Sequence, residues 1–127
     1  MLKSALLVTT GIVLGAGAIS ALQAQTNAQY YTVAEINVKD RAAYEKDLPA
    51  AINIIKEGGG KYLAGGFDKA TTRMGTPPVA NRYVIQVYPN KAAADKTWDS
   101  GGLGAWTSQH KNIADFRVIE VEAVQLK

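Results

Sequence analysis

The sequence lacks cysteine and contains a single histidine, His110, among its 127 residues. Without cysteine the chain forms no disulfide and offers no thiolate as a nucleophile or metal ligand. One histidine is too few for a typical zinc or copper site. The sequence therefore predicts neither a bound metal nor a cofactor.

An excess of charge of one sign is also missing. Lysine and arginine number 14 against 11 acidic residues, which gives a formal net charge of +3. So small an excess argues against nucleic acid as a partner, because nucleic-acid binding depends on concentrated positive charge. With 47% hydrophobic and 20% charged residues, the composition is that of one folded domain with one core.

Charged residues are nearly absent from the N-terminal segment. After Lys3, residues 5–22 are apolar or small and uncharged, which is typical of a secretory signal. We expect a signal peptide at 1–24, a short linker at 25–29 and a periplasmic or secreted mature protein that does not contact the membrane. The alternative is an uncleaved anchor, because the apolar run approaches the minimum length for a membrane span.

The rest of the chain, residues 30–127, has the patterns of a single α+β domain. Alternating β-forming residues predict four strands, at 30–38, 61–67, 82–88 and 116–124. In the second strand, Gly65-Gly66 indicates a bulge or a close approach of two backbones.

Helices are predicted in the intervals between the first and second strands and between the third and fourth. Asp40 is a suitable cap for the first helix, which ends at Gly58-Gly59-Gly60. Further helical stretches follow Asn90 and run from about Leu103 to Ala114. The order β-α-β-β-α-β is that of a ferredoxin-like fold, with a four-stranded antiparallel sheet and helices on one face.

The first strand has two faces of different character. One face is the better surface for packing helices, and its residues are Thr32, Ala34, Ile36 and Val38. The other mixes aromatic, aliphatic and polar groups, and its residues are Tyr31, Val33, Glu35 and Asn37. Such a face is too apolar for water and too polar for a sealed core. We therefore expect a homodimer whose sheets pack about a two-fold axis around a partly polar cavity; the alternative is a monomer with a solvated sheet.

His110 is the weak candidate for a catalytic residue. Histidine is the side chain best suited to proton transfer near neutral pH, and it would also be the single axial ligand if haem were bound. No neighbour in the sequence stands at a spacing that specifies a catalytic dyad. The simpler interpretation is a polar residue on an exposed helix face.

A small-molecule ligand is a possible partner. Arg82 has a planar guanidinium that binds carboxylates and anionic ligands, or it forms an ion pair of little energy at the edge of a strand. Glu35 is either a cavity carboxylate or a solvent-facing residue. Aromatic side chains fill cores and also line ligand pockets. The predicted ligand-binding residues are Tyr31, Glu35, Arg82, Tyr88, Trp98 and His110.

Several short motifs follow one another along residues 30–124. They are Tyr31-Thr32-Val33-Ala34-Glu35-Ile36, Gly58-Gly59, Leu63-Ala64-Gly65-Gly66, the strand from Arg82 to Tyr88-Pro89, and Ala94 with Trp98. Their order and spacing resemble the domain-of-unknown-function family numbered 1330. The resemblance implies a dimeric α+β barrel, a superfamily of cofactor-free monooxygenases, isomerases, decarboxylases, haem-dependent enzymes and proteins with no chemistry. The chain departs from the family pattern at Ala64, where an arginine is common.

Two functions are consistent with these observations. The first is an exported, dimeric domain that binds a small molecule or acts as an accessory protein, without demonstrated catalysis. The second, which the resemblance implies, is a cofactor-independent monooxygenase- or isomerase-like enzyme acting on a small aromatic or dicarbonyl compound.

Overall fold

The strands form one antiparallel sheet covered on one face by helices. The computed structural model describes residues 28–99 and 101–124. Its elements are β1 (Tyr30–Val38), α1 (Arg41–Glu57), β2 (Lys61–Phe67), β3 (Arg82–Tyr88), α2 (Lys91–Asp99), α3 (Leu103–Gln109) and β4 (Ala114–Glu122). The strand order is β2-β3-β1-β4, so the predicted ferredoxin-like α+β fold is confirmed. The expected signal peptide lies outside the described residues, as does most of the expected linker.

The long helix α1 begins and ends where the sequence predicts. The Asp40 carboxylate accepts a hydrogen bond from the backbone N–H of Ala43 at 3.1 Å, as a helix cap does. At the other end, Gly59 adopts a φ of +84°, a conformation that costs glycine little. Tyr44, Ala51 and Ile55 are buried against the sheet, and they form the apolar stripe of the helix.

The end of α3 and the start of β4 differ from the prediction. The helix stops at Gln109 rather than near Ala114, because a tight turn follows in which Ile113 and Ala114 donate backbone hydrogen bonds to the His110 carbonyl. Ala114 then pairs with Val38, so β4 begins two residues earlier than predicted. Neither glycine nor proline marks this turn, and the sequence pattern therefore does not reveal it.

The register of β1 fixes which side chains face the helices. Thr32, Ala34, Ile36 and Val38 are all buried on the helix side, as predicted. Their partners on β3 include Gln86 opposite Thr32 and Arg82 opposite Ile36, so those two polar side chains also face the helices. We call the opposite surface the open face. It carries the alternate residues of each strand: Tyr31, Val33, Glu35 and Asn37 of β1, Tyr83, Ile85 and Val87 of β3, and Asp115, Arg117, Ile119 and Val121 of β4.

The edge strand β2 contains a register irregularity and, at Gly65, the close backbone approach that Gly65-Gly66 predicts. Its pairing with β3 shifts register between Tyr62 and Ala64. Gly65, with a φ of +107°, then runs so close to β3 that a Cβ atom would collide with the Tyr83 carbonyl oxygen.

No helix in the described part of the chain is long and apolar enough to cross a bilayer.

Replacing Gly65 by alanine should destabilise the protein by at least about 2 kcal/mol, because the new methyl group adds a backbone collision to the strain of positive φ. Gly75→Ala is the matched control, since Gly75 has a φ of +88° but nothing within 4 Å of the added Cβ. We expect the control to lose about 1 kcal/mol. Urea unfolding measures both values, and equal losses would contradict the close approach.

Candidate functional site

A narrow cavity lies between the sheet and the helices. Its volume is about 30 Å³, which exceeds the roughly 10–15 Å³ that one water molecule needs. Aliphatic and aromatic side chains form most of the wall. The aromatic residues are Tyr44, Tyr62, Trp98, Trp106 and Phe116, and the other polar residues are Arg82, Gln86 and Thr107. We call this space the helix–sheet cavity.

Each functional side chain reaches the cavity for a local reason. Arg82 and Gln86 alternate with Tyr83 and Ile85 along β3, and the register places the first pair on the helix side. The helices α1, α2 and α3 supply Tyr44, Trp98 and Trp106 respectively.

Arg82 is buried without an ionic partner. The residue is only 8% exposed, and its Nε atom has no hydrogen-bond partner. Among the described residues, no carboxylate forms a salt bridge with it. The Cζ atom lies 5.7 Å from the centre of the Tyr44 ring and 5.1 Å from that of Phe67. Among the described residues, aromatic rings and the hydroxyls of Tyr44 and Tyr62 therefore surround the charge.

The tyrosines near Arg82 keep their protons. Burial raises the pKa of Tyr44 and Tyr62, and the positive charge of Arg82 lowers both values by a smaller amount. Because the net shift of each pKa is upward, both hydroxyls are neutral near pH 7 and can donate hydrogen bonds.

The two tryptophans of the sequence both line the cavity, but only one of their indole N–H groups has a hydrogen-bond partner among the described residues. Trp106 Nε1 donates to the carbonyl oxygen of Asp47 at 3.3 Å. Trp98 Nε1 is buried and has no partner. Buried donors in proteins are normally paired, so Trp98 is the second residue of the wall, after Arg82, with an unpaired buried donor.

His110 belongs to a clamp between α1 and α3. Its Nδ1 lies 2.6 Å from the Trp106 carbonyl oxygen, and its Nε2 lies 2.9 Å from Asp47 Oδ2. The ring also stacks on Trp106 at 4.1 Å. Both partner atoms are acceptors, so a ring nitrogen that carries a proton donates to the partner it faces.

The clamp corrects one prediction for His110, that of a polar residue on an exposed helix face. The residue is 9% exposed, so it is not a polar residue on an exposed helix face. It is also absent from the wall of the helix–sheet cavity, and both ring nitrogens lie within hydrogen-bond distance of a partner. Its catalytic or haem-binding role stays a prediction. Its partner Asp47 is 63 residues away in the sequence, too far for any spacing rule to identify.

The structure separates the other predicted ligand-binding residues. Arg82 and Trp98 meet at the helix–sheet cavity. Tyr31 and Glu35 lie on the open face, where Glu35 accepts from Arg117 at 2.7 Å. Tyr88 is fully buried, and its hydroxyl lies 3.0 Å from Gln86 Oε1. The six residues therefore do not form one site. Side chains along a strand alternate between the two faces of the sheet, and this alternation places Tyr31 and Glu35 on the face opposite Arg82.

Sequence reasoning missed three further residues of the cavity wall. Tyr44 and Trp106 have the pattern of core aromatics, which gives no separate signal. Gln86 does carry a signal, since it is a polar side chain on the helix-facing register of an otherwise apolar strand. Among residues 28–99 and 101–124, no cluster of three or more histidine, aspartate or glutamate side chains has the arrangement of a metal site.

Removing the imidazole should loosen the contact between α1 and α3. We expect His110→Ala to lower the free energy of unfolding by about 1–3 kcal/mol, because Asp47 and the Trp106 carbonyl lose their donor. In a double-mutant cycle, Asp47→Ala should cost less when His110 is already absent. Glu57→Ala removes a carboxylate elsewhere on α1 and should show no coupling with His110→Ala. Additive losses for Asp47 and His110 would contradict the clamp.

The comparisons with known proteins agree on the fold. Among solved structures, the chain is similar to a protein of unknown function from Rhodopseudomonas palustris, with 15% identity and a TM-score of 0.60 over 87% of this chain and 94% of that one. It is also similar to SnoaB, a cofactor-independent oxygenase from Streptomyces nogalater, with 14% identity and a TM-score of 0.54 over 78% and 96% of the two chains. At such identities the likeness shows the fold alone.

The family comparison is more direct. No curated protein matches the chain. The family model described as "Domain of unknown function (DUF1330)" matches residues 29–124, which is nearly the whole of the part that the structure describes, and the resemblance expected from the short motifs is confirmed. The chain belongs to the DUF1330 family.

Proposed function

We propose that the protein is an exported homodimer in which each protomer binds a small molecule in its helix–sheet cavity. The observation that carries the proposal is a pair of buried N–H donors without partners, Arg82 Nε and Trp98 Nε1, on residues that line one cavity. Proteins rarely leave buried donors unpaired. Because neither nitrogen has accessible surface in this conformation, the acceptor atoms of a ligand would reach them once a wall residue moves. Export rests on the signal-like pattern of residues 1–24.

The volume of the cavity limits the ligand. An apolar cavity of about 150 Å³ is known to hold benzene, whereas the helix–sheet cavity measures about 30 Å³. On that scale the cavity holds about one or two non-hydrogen atoms. A larger compound requires movement of a wall residue such as Tyr62, which is 38% exposed.

Tryptophan fluorescence tests the cavity directly, since both tryptophans line it. We expect short-chain acids, amides and alcohols to include compounds that change the emission saturably. Thr107→Phe should weaken that response at least tenfold, because Thr107 is part of the wall and the larger ring fills the space. Ser108→Phe is the matched control on the same helix, at an exposed residue outside the wall.

Two outcomes would count against binding in this cavity. One is the absence of any saturable response across the panel. The other is a Thr107→Phe variant that is folded and responds as the unmodified protein does.

A cofactor-independent oxygenase is the second candidate, and the aromatic wall around a buried cation is the observation that favours it. The guanidinium of Arg82 would stabilise the phenolate or enolate form of a substrate. A phenol would become a quinone, with one atom of O₂ entering the ring and the other leaving as water. The small volume favours binding over this reaction. Oxygen uptake with a small phenol, lost in Arg82→Gln, would establish it.

The open face supports the proposed homodimer. Ile119 and Val121 are 42% and 48% exposed there, beside the half-buried Val33 and Ile85. Ion pairs on the same face include Arg117 with Glu35. A surface with an apolar centre and both signs of charge can complement a copy of itself across a two-fold axis.

Sedimentation of residues 25–127 should reveal a dimer at micromolar concentration. Ile119→Lys should raise the dimer dissociation constant at least tenfold, since it buries an unpaired charge between the sheets. Val79→Lys adds the same charge to an exposed residue away from the sheet and should leave the dimer intact. A monomer at all concentrations would refute the dimer, and the cavity within each protomer would stand independently.

A further inference from the structure

We propose that Tyr62 is a movable gate of the helix–sheet cavity, whose ring moves into solvent when a ligand with a ring of similar size enters. The inference rests on the proposed function, because it identifies the wall residue whose movement makes room for a ligand. The exposure of Tyr62, the orientation of its side chain and the irregular backbone of β2 each support it.

Tyr62 is the exposed part of an otherwise enclosed wall. Among the described residues that line the cavity, it alone is exposed, at 38%, and the others are buried or half-buried. Tyr44 and Trp106, aromatic residues that the helices contribute, are 2% and 7% exposed. Tyr62 is therefore the wall residue that can leave the cavity with the smallest fractional loss of buried surface.

The hydroxyl end of Tyr62 is turned inward although the residue is exposed. Tyr62 pairs with Gln86 of β3, on the register that faces the helices. Burial raises the pKa of the Tyr62 hydroxyl, and the positive charge of Arg82 lowers it by a smaller amount. Both effects require the hydroxyl oxygen to lie inside, near the guanidinium. The ring thus lies between solvent and Arg82, and its departure would leave a space that fits another six-membered ring.

The backbone around Tyr62 is less constrained than that of the other strands. In the described sheet, β2 is an edge strand that pairs only with β3, and its residues 61–65 are exposed. The pairing is irregular between Tyr62 and Ala64, and Gly65 and Gly66 follow with positive φ. Segments with few buried contacts open at a low cost in free energy. The proposed movement is a change of side-chain rotamer at this edge.

Opening the gate has a cost and a compensating gain. The cost is the exposure of the buried part of the Tyr62 ring, which is smaller than for a fully buried ring. The gain is that water approaches the guanidinium of Arg82, whose Nε has no partner in the closed conformation. We expect the open conformation to be a minor state, and such states have populations of about 0.1–10%. A ligand that binds only this state has an apparent affinity reduced by that fraction.

The compound p-cresol tests the gate, because it is the tyrosine side chain as a free molecule. In Tyr62→Ala, it fits without displacing a ring. We expect this variant to bind p-cresol about 10–1,000 times more tightly than the unmodified protein, which has to open first. Leu63→Ala is the matched control, since Leu63 is the next residue of β2, is 54% exposed and lies outside the wall. It should bind as the unmodified protein does, and tryptophan fluorescence measures all three affinities.

Movement of the ring is measured in the unmodified protein. The chain contains six tyrosines, and fluorine NMR of the mature chain labelled with 3-fluorotyrosine reports on each of them. Tyr62→Phe identifies the Tyr62 signal by its loss. Saturation with p-cresol should move that signal toward the position of free fluorotyrosine, whereas the signal of Tyr31, on the open face, should stay. This measurement stands even if Tyr62→Ala fails to fold.

The outcomes separate the gate from the proposed function. If p-cresol saturates the unmodified protein without moving the Tyr62 signal, or binds folded Tyr62→Ala no more tightly, the gate is wrong and small-molecule binding stands. If p-cresol binds Tyr62→Ala but not the unmodified protein, Tyr62 is a fixed part of the wall and the gate is again wrong.

Two further outcomes concern the absence of p-cresol binding to either protein. If smaller compounds still give a saturable response that Thr107→Phe weakens, the gate fails alone. If no compound binds in either experiment, both proposals fail together.

Discussion

The antiparallel pairing of β1 with β3 and β4 decides where the functional side chains of this protein lie. Ile36 pairs with Arg82 and Thr32 pairs with Gln86, and both partners therefore face the helices. A shift of one residue in this register would exchange the two faces of a strand. Arg82 would then lie on the open face and Tyr83 would enter the core. The buried cation of the helix–sheet cavity is thus a consequence of strand pairing.

The walls of the cavity depend on contacts that lie outside it. Trp106 is held from three directions, through its indole N–H, its carbonyl and its stacked ring, by Asp47 and His110. The helix that carries it, α3, spans seven residues, too few to be stable in isolation. The histidine that first suggested catalysis therefore has a structural role, since it ties this short helix to α1.

Most of the fold was predictable from the sequence because clear stop signals mark the ends of its helices and strands. Strands β1, β2 and β3 were predicted with the observed bounds, since each combines alternating β-forming residues with a clear stop such as Gly58-Gly59-Gly60 or Pro89. The start of β4 was wrong because the turn after Gln109 depends on backbone hydrogen bonds to the His110 carbonyl. No residue type specifies that turn.

The site was less predictable than the fold. Arg82 and Trp98 were identified from their chemistry alone, whereas Tyr31 and Glu35 were assigned with them although strand alternation places them on the opposite face. The clamp of Asp47 and His110 joins residues that only the folded chain brings together. The sequence thus shows which side chains have suitable chemistry, while tertiary contacts decide which of them come together in a site.

The bulge in β2 has a consequence for self-association along the strands. An exposed edge offers unpaired backbone groups to any similar edge, and regular edges can add strands without limit and grow into fibrils. Here the irregular step between Tyr62 and Ala64, followed by the positive φ of Gly65, interrupts the regular spacing that an incoming strand requires. At the opposite edge, β4 carries Arg117, Glu120 and Glu122, whose charges oppose the same addition. Both borders of the sheet thereby resist polymerisation, while the open face remains free to pack.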